Sequence, residues 1–176
     1  MYENRQERRD YGGEPLIVNI DRLTKVNPNF RTALWTGEHL QVTLMSIPAG
    51  GEIGLEVHPH LDQFLRIESG CAFVMMGKTE HSLSYRQRVN SNYAVIVPAG
   101  TWHNIMNAGR TPLKIYSIYA PPQHPFGQAQ PQLPGNLQQF SRCCGIGLHR
   151  SASSLGVMRR AATISGCSKM VRTVSR

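Results

Sequence analysis

Acidic residues are missing from the last fifty positions of this 176-residue chain. Residues 1–126 hold 12 Lys+Arg against all 11 Asp+Glu, a net of +1, whereas residues 127–176 hold seven basic residues and no acid. The formal charge of +8 therefore belongs to the C-terminal end. It leaves the first 126 residues without the basic surface expected of a nucleic-acid reader, and allows the end at most salt-sensitive, non-specific attachment. Long apolar runs are missing too. None approaches the roughly 18 residues of a membrane span, and the opening MYENRQERRDYGG lacks the apolar stretch of about 7 to 15 residues that a secretory signal needs. A soluble, cytoplasmic protein with no membrane partner is expected. Cysteine is scarce: Cys71 stands alone before residue 127, and Cys143, Cys144 and Cys167 lack the CxxC spacing of a metal site. In a reducing compartment Cys71 reads as a reduced, buried small hydrophobe. Helical periodicity sustained over three turns is also absent.

What remains is β-like. Runs rich in Val, Ile, Leu, Phe and Tyr occur at Leu16–Ile20, Ala33–Trp35, Leu40–Ile47, Leu55–His58, Gln63–Ile67, Cys71–Met76, Tyr93–Val97, His103–Met106 and Leu113–Tyr119. Turn signals separate them: Ala49-Gly50-Gly51, Ser69-Gly70, Pro98-Ala99-Gly100 and Asn107-Ala108-Gly109. Short strands at intervals near ten residues predict an all-β fold, a single antiparallel sandwich or barrel. The composition divides the chain into a polar N-terminal end (1–10), a barrel domain (11–126) and a basic tail (127–176) expected to be irregular and disordered. That tail is either a genuine extension or a frame-shifted end.

Two stretches carry chemistry: HPHLDQ, His58 to Gln63, and PAGTWHNIMN, Pro98 to Asn107. On a strand, side chains two apart share a face, so His58 and His60 would project together. His103 follows a Pro-Ala-Gly turn, with Gly100 free to adopt positive φ and aim the loop. Three neutral imidazoles and one oxygen ligand, with room for water, is a way to hold a catalytic divalent ion. By the same period Glu56 falls on the histidine face, as a fifth ligand or general base, or as a rim residue in water. Asp62 reads as a solvated turn residue and Asn107 as a turn residue. His39, His81, His124 and His149 are assigned no role. Trp102, Phe73, Met75, Tyr116 and Tyr119 are either plain core or the lining of an apolar pocket. Counting from Gln63 turns Arg66 outward, and neither a Gly-rich phosphate cradle nor an Arg/Lys pair points into the barrel.

These stretches resemble the two motifs of the cupins. Gly51, His58, His60, Gln63 and Gly70 are similar to the first, and Pro98, Gly100, His103 and Asn107 to the second. The likeness runs over residues 11 to 126, and the wording is similar to small bacterial cupins often labelled mannose-6-phosphate isomerase. Gln63 stands where that family usually has glutamate, and Gly51 lies one residue further from the first histidine than usual. The resemblance implies a jelly-roll barrel holding one divalent metal ion (Zn, Mn, Fe or Ni) on His58, His60, Gln63 and His103; the candidate catalytic residue, Glu56, rests on the period of two alone. It implies a metal-dependent isomerase or iron-dependent dioxygenase acting on a small molecule, with a non-catalytic sensing module as the alternative, and a homodimer as the assembly.

Overall fold

The computed structural model describes residues 10–131. Expectations for residues 1–9 and 132–176, including those for Cys143, Cys144, Cys167 and most of the basic tail, lie outside the described residues. A short helix α1 (Ile20–Val26) precedes eight strands: β1 (Arg31–Thr36), β2 (Gln41–Ile47), β3 (Asp62–Ser69), β4 (Cys71–Gly77), β5 (Tyr85–Asn90), β6 (Ala94–Val97), β7 (Trp102–Asn107) and β8 (Leu113–Ala120). A two-residue strand β9 (Ala129–Gln130) follows. They form a six-stranded sheet in the order β6-β3-β8-β2-β1-β9 and a three-stranded sheet in the order β5-β4-β7. All strand pairings are antiparallel, so the fold is the expected all-β jelly roll.

The sheets close on one another because each strand puts every second side chain inward. β8 shows the period cleanly: Leu113, Ile115, Ser117 and Tyr119 are buried while the residues between them are half-buried. Met45, Ile47, Leu65, Ile67, Val95, Val97, Leu113 and Ile115 from the large sheet meet Ala72, Val74, Val89 and Ile105 from the small one in a single core. Two turns need glycine. Gly70 adopts φ 101° between β3 and β4, where a Cβ would also press on the Leu113 backbone at 3.0 Å, and Gly100 adopts φ 75° just ahead of β7.

Several expected elements change. Leu16–Ile20 forms no strand: the Asn19 side chain accepts the Arg22 N–H at 2.9 Å and caps α1, with Asp21 in the first turn and Lys25 in the last. Leu55–His58 is not a strand either. It contributes one bridge, Glu56 opposite His103, and with Glu52 opposite Met106 it lines the free side of β7. Tyr85–Asn90, polar enough to read as a connector, is a strand at the edge of the small sheet, where one buried residue, Val89, suffices. The sheet also continues beyond Phe126, since Gln128 accepts the Ala33 N–H at 2.8 Å and β9 pairs with Arg31 and Thr32. Cys71 is a free cysteine that is half-buried rather than fully buried, and its Sγ accepts from Arg88 Nε at 3.1 Å.

Candidate metal centre

His103 occupies an inward position of β7 and is wholly buried. Its Nδ1 lies 3.0 Å from the Thr101 carbonyl oxygen. A carbonyl can only accept, so Nδ1 carries the proton and Nε2 presents a lone pair to the interior. Glu56 lies directly across the strand gap: its N–H donates to the His103 carbonyl at 3.0 Å and its own carbonyl accepts from His103 N–H at 2.9 Å. The Glu56 Oε1 then sits 3.3 Å from His103 Nε2 and 3.5 Å from His58 Nε2. His58 is anchored through its carbonyl, which accepts the Gly100 N–H at 2.8 Å and ties the first motif to the turn of the second.

The ligating atoms of Glu56, His58 and His103 all lie within 4.8 Å of one another. Each of those three atoms is buried, and none has a hydrogen-bond partner of good geometry among the described residues. Buried polar atoms are rarely left so, and a divalent cation accepted by one carboxylate and two neutral imidazoles satisfies all three. Burial alone would raise the Glu56 pKa, but contacts with His103 and His58, helped by the charges of His103 and Arg31, hold it at about 2. A cation bound between Glu56, His58 and His103 would take over from those imidazole protons as the positive charge that keeps the carboxylate ionised. Position, burial and charge all suit Glu56 to a ligand's place rather than to the water-exposed rim.

His60 is not brought to this group. Pro59 and His60 form an exposed turn rather than a strand, so the period-two rule that paired His58 with His60 does not operate there. Gln63 is on the inner face and 1% exposed; its Nε2 donates to Ser117 Oγ at 2.9 Å, and its Oε1 is buried without a hydrogen-bond partner. Asp62 is exposed at the start of β3 and caps the neighbouring turn by accepting the Ala99 N–H at 2.9 Å. Asn107 is structural, donating to the Ile47 and Thr111 carbonyls at 2.9 and 2.8 Å. Of the five candidate pocket residues only Tyr119 has the inward parity; Tyr116, for one, lies on the opposite face against Phe64, ring centroids 6.2 Å apart.

Three interior groups had no assigned role in the sequence. Arg31 is buried and cross-strand from the core residue Met45; one guanidinium therefore does point inward. Thr43 is wholly buried beside it in the sheet. His124, from the segment after β8, stands edge-on to Tyr119 with ring centroids 5.0 Å apart, and Tyr119 in turn stands edge-on to His58 at 5.8 Å. The buried Gln41 clamps that segment, donating to the His124 carbonyl and accepting the His124 N–H, both at 2.8 Å. Burial, with the positive charge of Arg31, lowers the His124 pKa to about 4, so its ring is neutral at pH 7.

The jelly roll, with its two-histidine, one-carboxylate cluster, is matched by a family of known fold. The Cupin domain model matches residues 43–119, and the chain belongs to the cupin family. It is 61% identical over 119 residues to the uncharacterized protein YrkC of Bacillus subtilis, a match that covers 68% of this chain and 64%, less than two thirds, of that protein's length. An uncharacterized protein of Acanthamoeba polyphaga mimivirus is 37% identical over 119 residues, covering 67% of this chain and 72% of that one. A crystal structure from Bacillus halodurans is similar at TM-score 0.69 and 58% identity, covering 69% of this chain and 92% of that one. Among the described residues no helix is long and apolar enough to cross a membrane.

Proposed function

We propose that this cupin is a metal-dependent enzyme that moves a proton on a small molecule bound at the polar end of the barrel. Glu56, His58 and His103 hold one divalent ion (Zn, Mn, Fe or Ni), with Gln63 Oε1 as the candidate fourth ligand. Such an ion acts as a Lewis acid that polarises a carbonyl and lowers the pKa of the carbon acid beside it. The observation that carries the reading is the convergence of three buried, unpartnered ligand atoms within 4.8 Å.

Turnover, as opposed to mere binding, is supported by His124. Its Nε2 is buried without a partner, and its ring is neutral at pH 7. A neutral imidazole can take a proton from a bound molecule, and an anion placed beside it would raise its pKa toward the working range. The test is metal content after exhaustive dialysis, followed by deuterium incorporation at the methyl carbon of pyruvate in D2O. About one equivalent of metal is expected, with metal-dependent exchange that His124→Asn loses. Retention of no metal overturns the centre. Retained metal without exchange reduces the protein to a binding module.

A further inference from the structure

The polar end of the barrel also contains unpartnered donors, which a metal ion cannot satisfy. Arg31 is 8% exposed, yet its Nε is buried without a hydrogen bond and no carboxylate pairs with it among the described residues. Its guanidinium carbon lies 5.6 Å from the centroid of the Phe30 ring. A guanidinium whose Nε is buried with no anion beside it carries a desolvation cost that nothing offsets. Thr43 Oγ1 and Tyr119 OH are likewise buried, and neither makes a hydrogen bond of good geometry among the described residues.

Strand register brings these groups near one another on the inner face of the large sheet. Arg31 and Thr43 lie on neighbouring strands with inward parity, and Thr43 is one inward step from Tyr119 through the Thr43–Ser117 pair. Burial pushes the Tyr119 phenol up, while the Arg31 charge and the nearby Ser117 and Thr43 hydroxyls pull it down. The same Arg31 charge is felt by Glu56 and by His124. An oxygen placed among Arg31, Thr43 and Tyr119 would therefore meet three donors at the threshold of the metal cluster.

From this arrangement we infer that the polar end of the barrel is the binding site for a small organic carboxylate, paired by Arg31 and completed by the Thr43 and Tyr119 hydroxyls. The inference rests on the metal reading only for its charge balance. Arg31 and Glu56 cancel, so a divalent ion leaves the interior at a net double positive charge, which a small anion offsets. The planar fork of a guanidinium matches the two coplanar oxygens of a carboxylate. A phosphate dianion calls on several cations or a row of backbone N–H groups, and Arg31 is the one Arg or Lys among the buried described residues.

The test is calorimetric titration of the full chain with lactate, pyruvate, inorganic phosphate and the neutral sugar mannose, each with and without chelator. Metal content is measured in the same samples. Lactate or pyruvate is expected to bind, at least about tenfold more weakly in Arg31→Gln, with metal content unchanged. Thr43→Val, which deletes an unpartnered hydroxyl while keeping the volume close, should fold at least as stably and bind several-fold more weakly. Carboxylate affinity equal in wild type and both variants overturns the site. Phosphate or mannose bound as tightly as the carboxylates overturns the ligand class, and carboxylates that fail to bind overturn both. If no metal is retained but the carboxylates still bind in an Arg31-dependent way, the metal centre fails and this site stands.

Discussion

Two ends of one sheet face are built by the same strands at the same period of two, and they differ completely in chemistry. Toward one end the inward residues are Met45 and Ile47 of β2, Leu65 and Ile67 of β3, and Leu113 and Ile115 of β8, all buried in a continuous core. Toward the other end the same strands place Gln41 and Thr43, Gln63, and Ser117 and Tyr119, equally buried. The apolar end is close-packed and satisfied. At the polar end Thr43, Gln63 and Tyr119 each carry a buried atom with no hydrogen bond of good geometry among the described residues, as do Glu56, His58 and His103 beside them. Buried polar atoms left bare cost stability, so a chain that retains this many together maintains them for something other than folding.

The comparison breaks most visibly at the histidines. His103→Ala or His58→Ala should abolish metal retention, whereas His60→Ala, at an exposed turn, should leave it intact. Metal content of the three purified variants decides, and loss of metal in His60→Ala would return that residue to the site. A smaller effect separates the two ends energetically. Ile115→Ala opens a cavity in the apolar core and should cost about 2–5 kcal/mol in chemical denaturation. Tyr119→Phe removes a buried hydroxyl with no partner and should leave the stability of metal-free protein unchanged or slightly higher. A Tyr119→Phe loss as large as that of Ile115→Ala would mean that the polar end holds the fold as well.

Much of this division was legible in the sequence, and what escaped did so for physical reasons. His58, His103, Gly100 and most of the strands follow from alternation and turn chemistry, which act within a few residues. The misreading of His60 comes from extending the strand rule through Pro59, where the backbone turns instead. Arg31 could have been placed by parity with Ala33, had the strand been started two residues earlier. His124 left no local signal at all. Its position depends on Gln41, 83 residues away in the chain, whose amide fixes the segment that carries it. Asn19 followed by Asp21 was a readable helix start, overlooked because the helix it begins is only two turns long.

Gln63 sharpens the comparison from within, as the one inward residue at the polar end where cupins usually have glutamate. Gln63→Glu would add a negative charge near a dication, and one unit pair at 4 Å is worth about 4 kcal/mol at an effective dielectric of 20, before desolvation. Chelator resistance should rise by about tenfold or more. Metal-free protein should be less stable, because the new carboxylate is then buried and unpaired, so metal should raise the melting temperature of Gln63→Glu more than that of wild type. Unchanged chelator resistance with an intact fold would remove Gln63 from the ligand set.

The smallest expected effect concerns pH. His124 has a folded pKa of about 4 against an ordinary value of 6.5, so between these values the unfolded chain binds a proton that the folded chain does not. Stability therefore rises with pH across that window and is lost as the pH falls from about 6.5 toward 4; below about 4 both states are protonated and the loss no longer grows. The ring is only half-buried, and solvent screening limits the effect to about 1 kcal/mol or less. Comparing wild type with His124→Phe isolates it, since both proteins share every other titrating group, and a chelator removes the separate pH dependence of metal binding. Melting temperatures at pH 7 and pH 5 should show a larger fall in wild type than in His124→Phe. An equal fall in the two proteins would mean that the His124 ring titrates as it does in water, outside the polar end of the barrel.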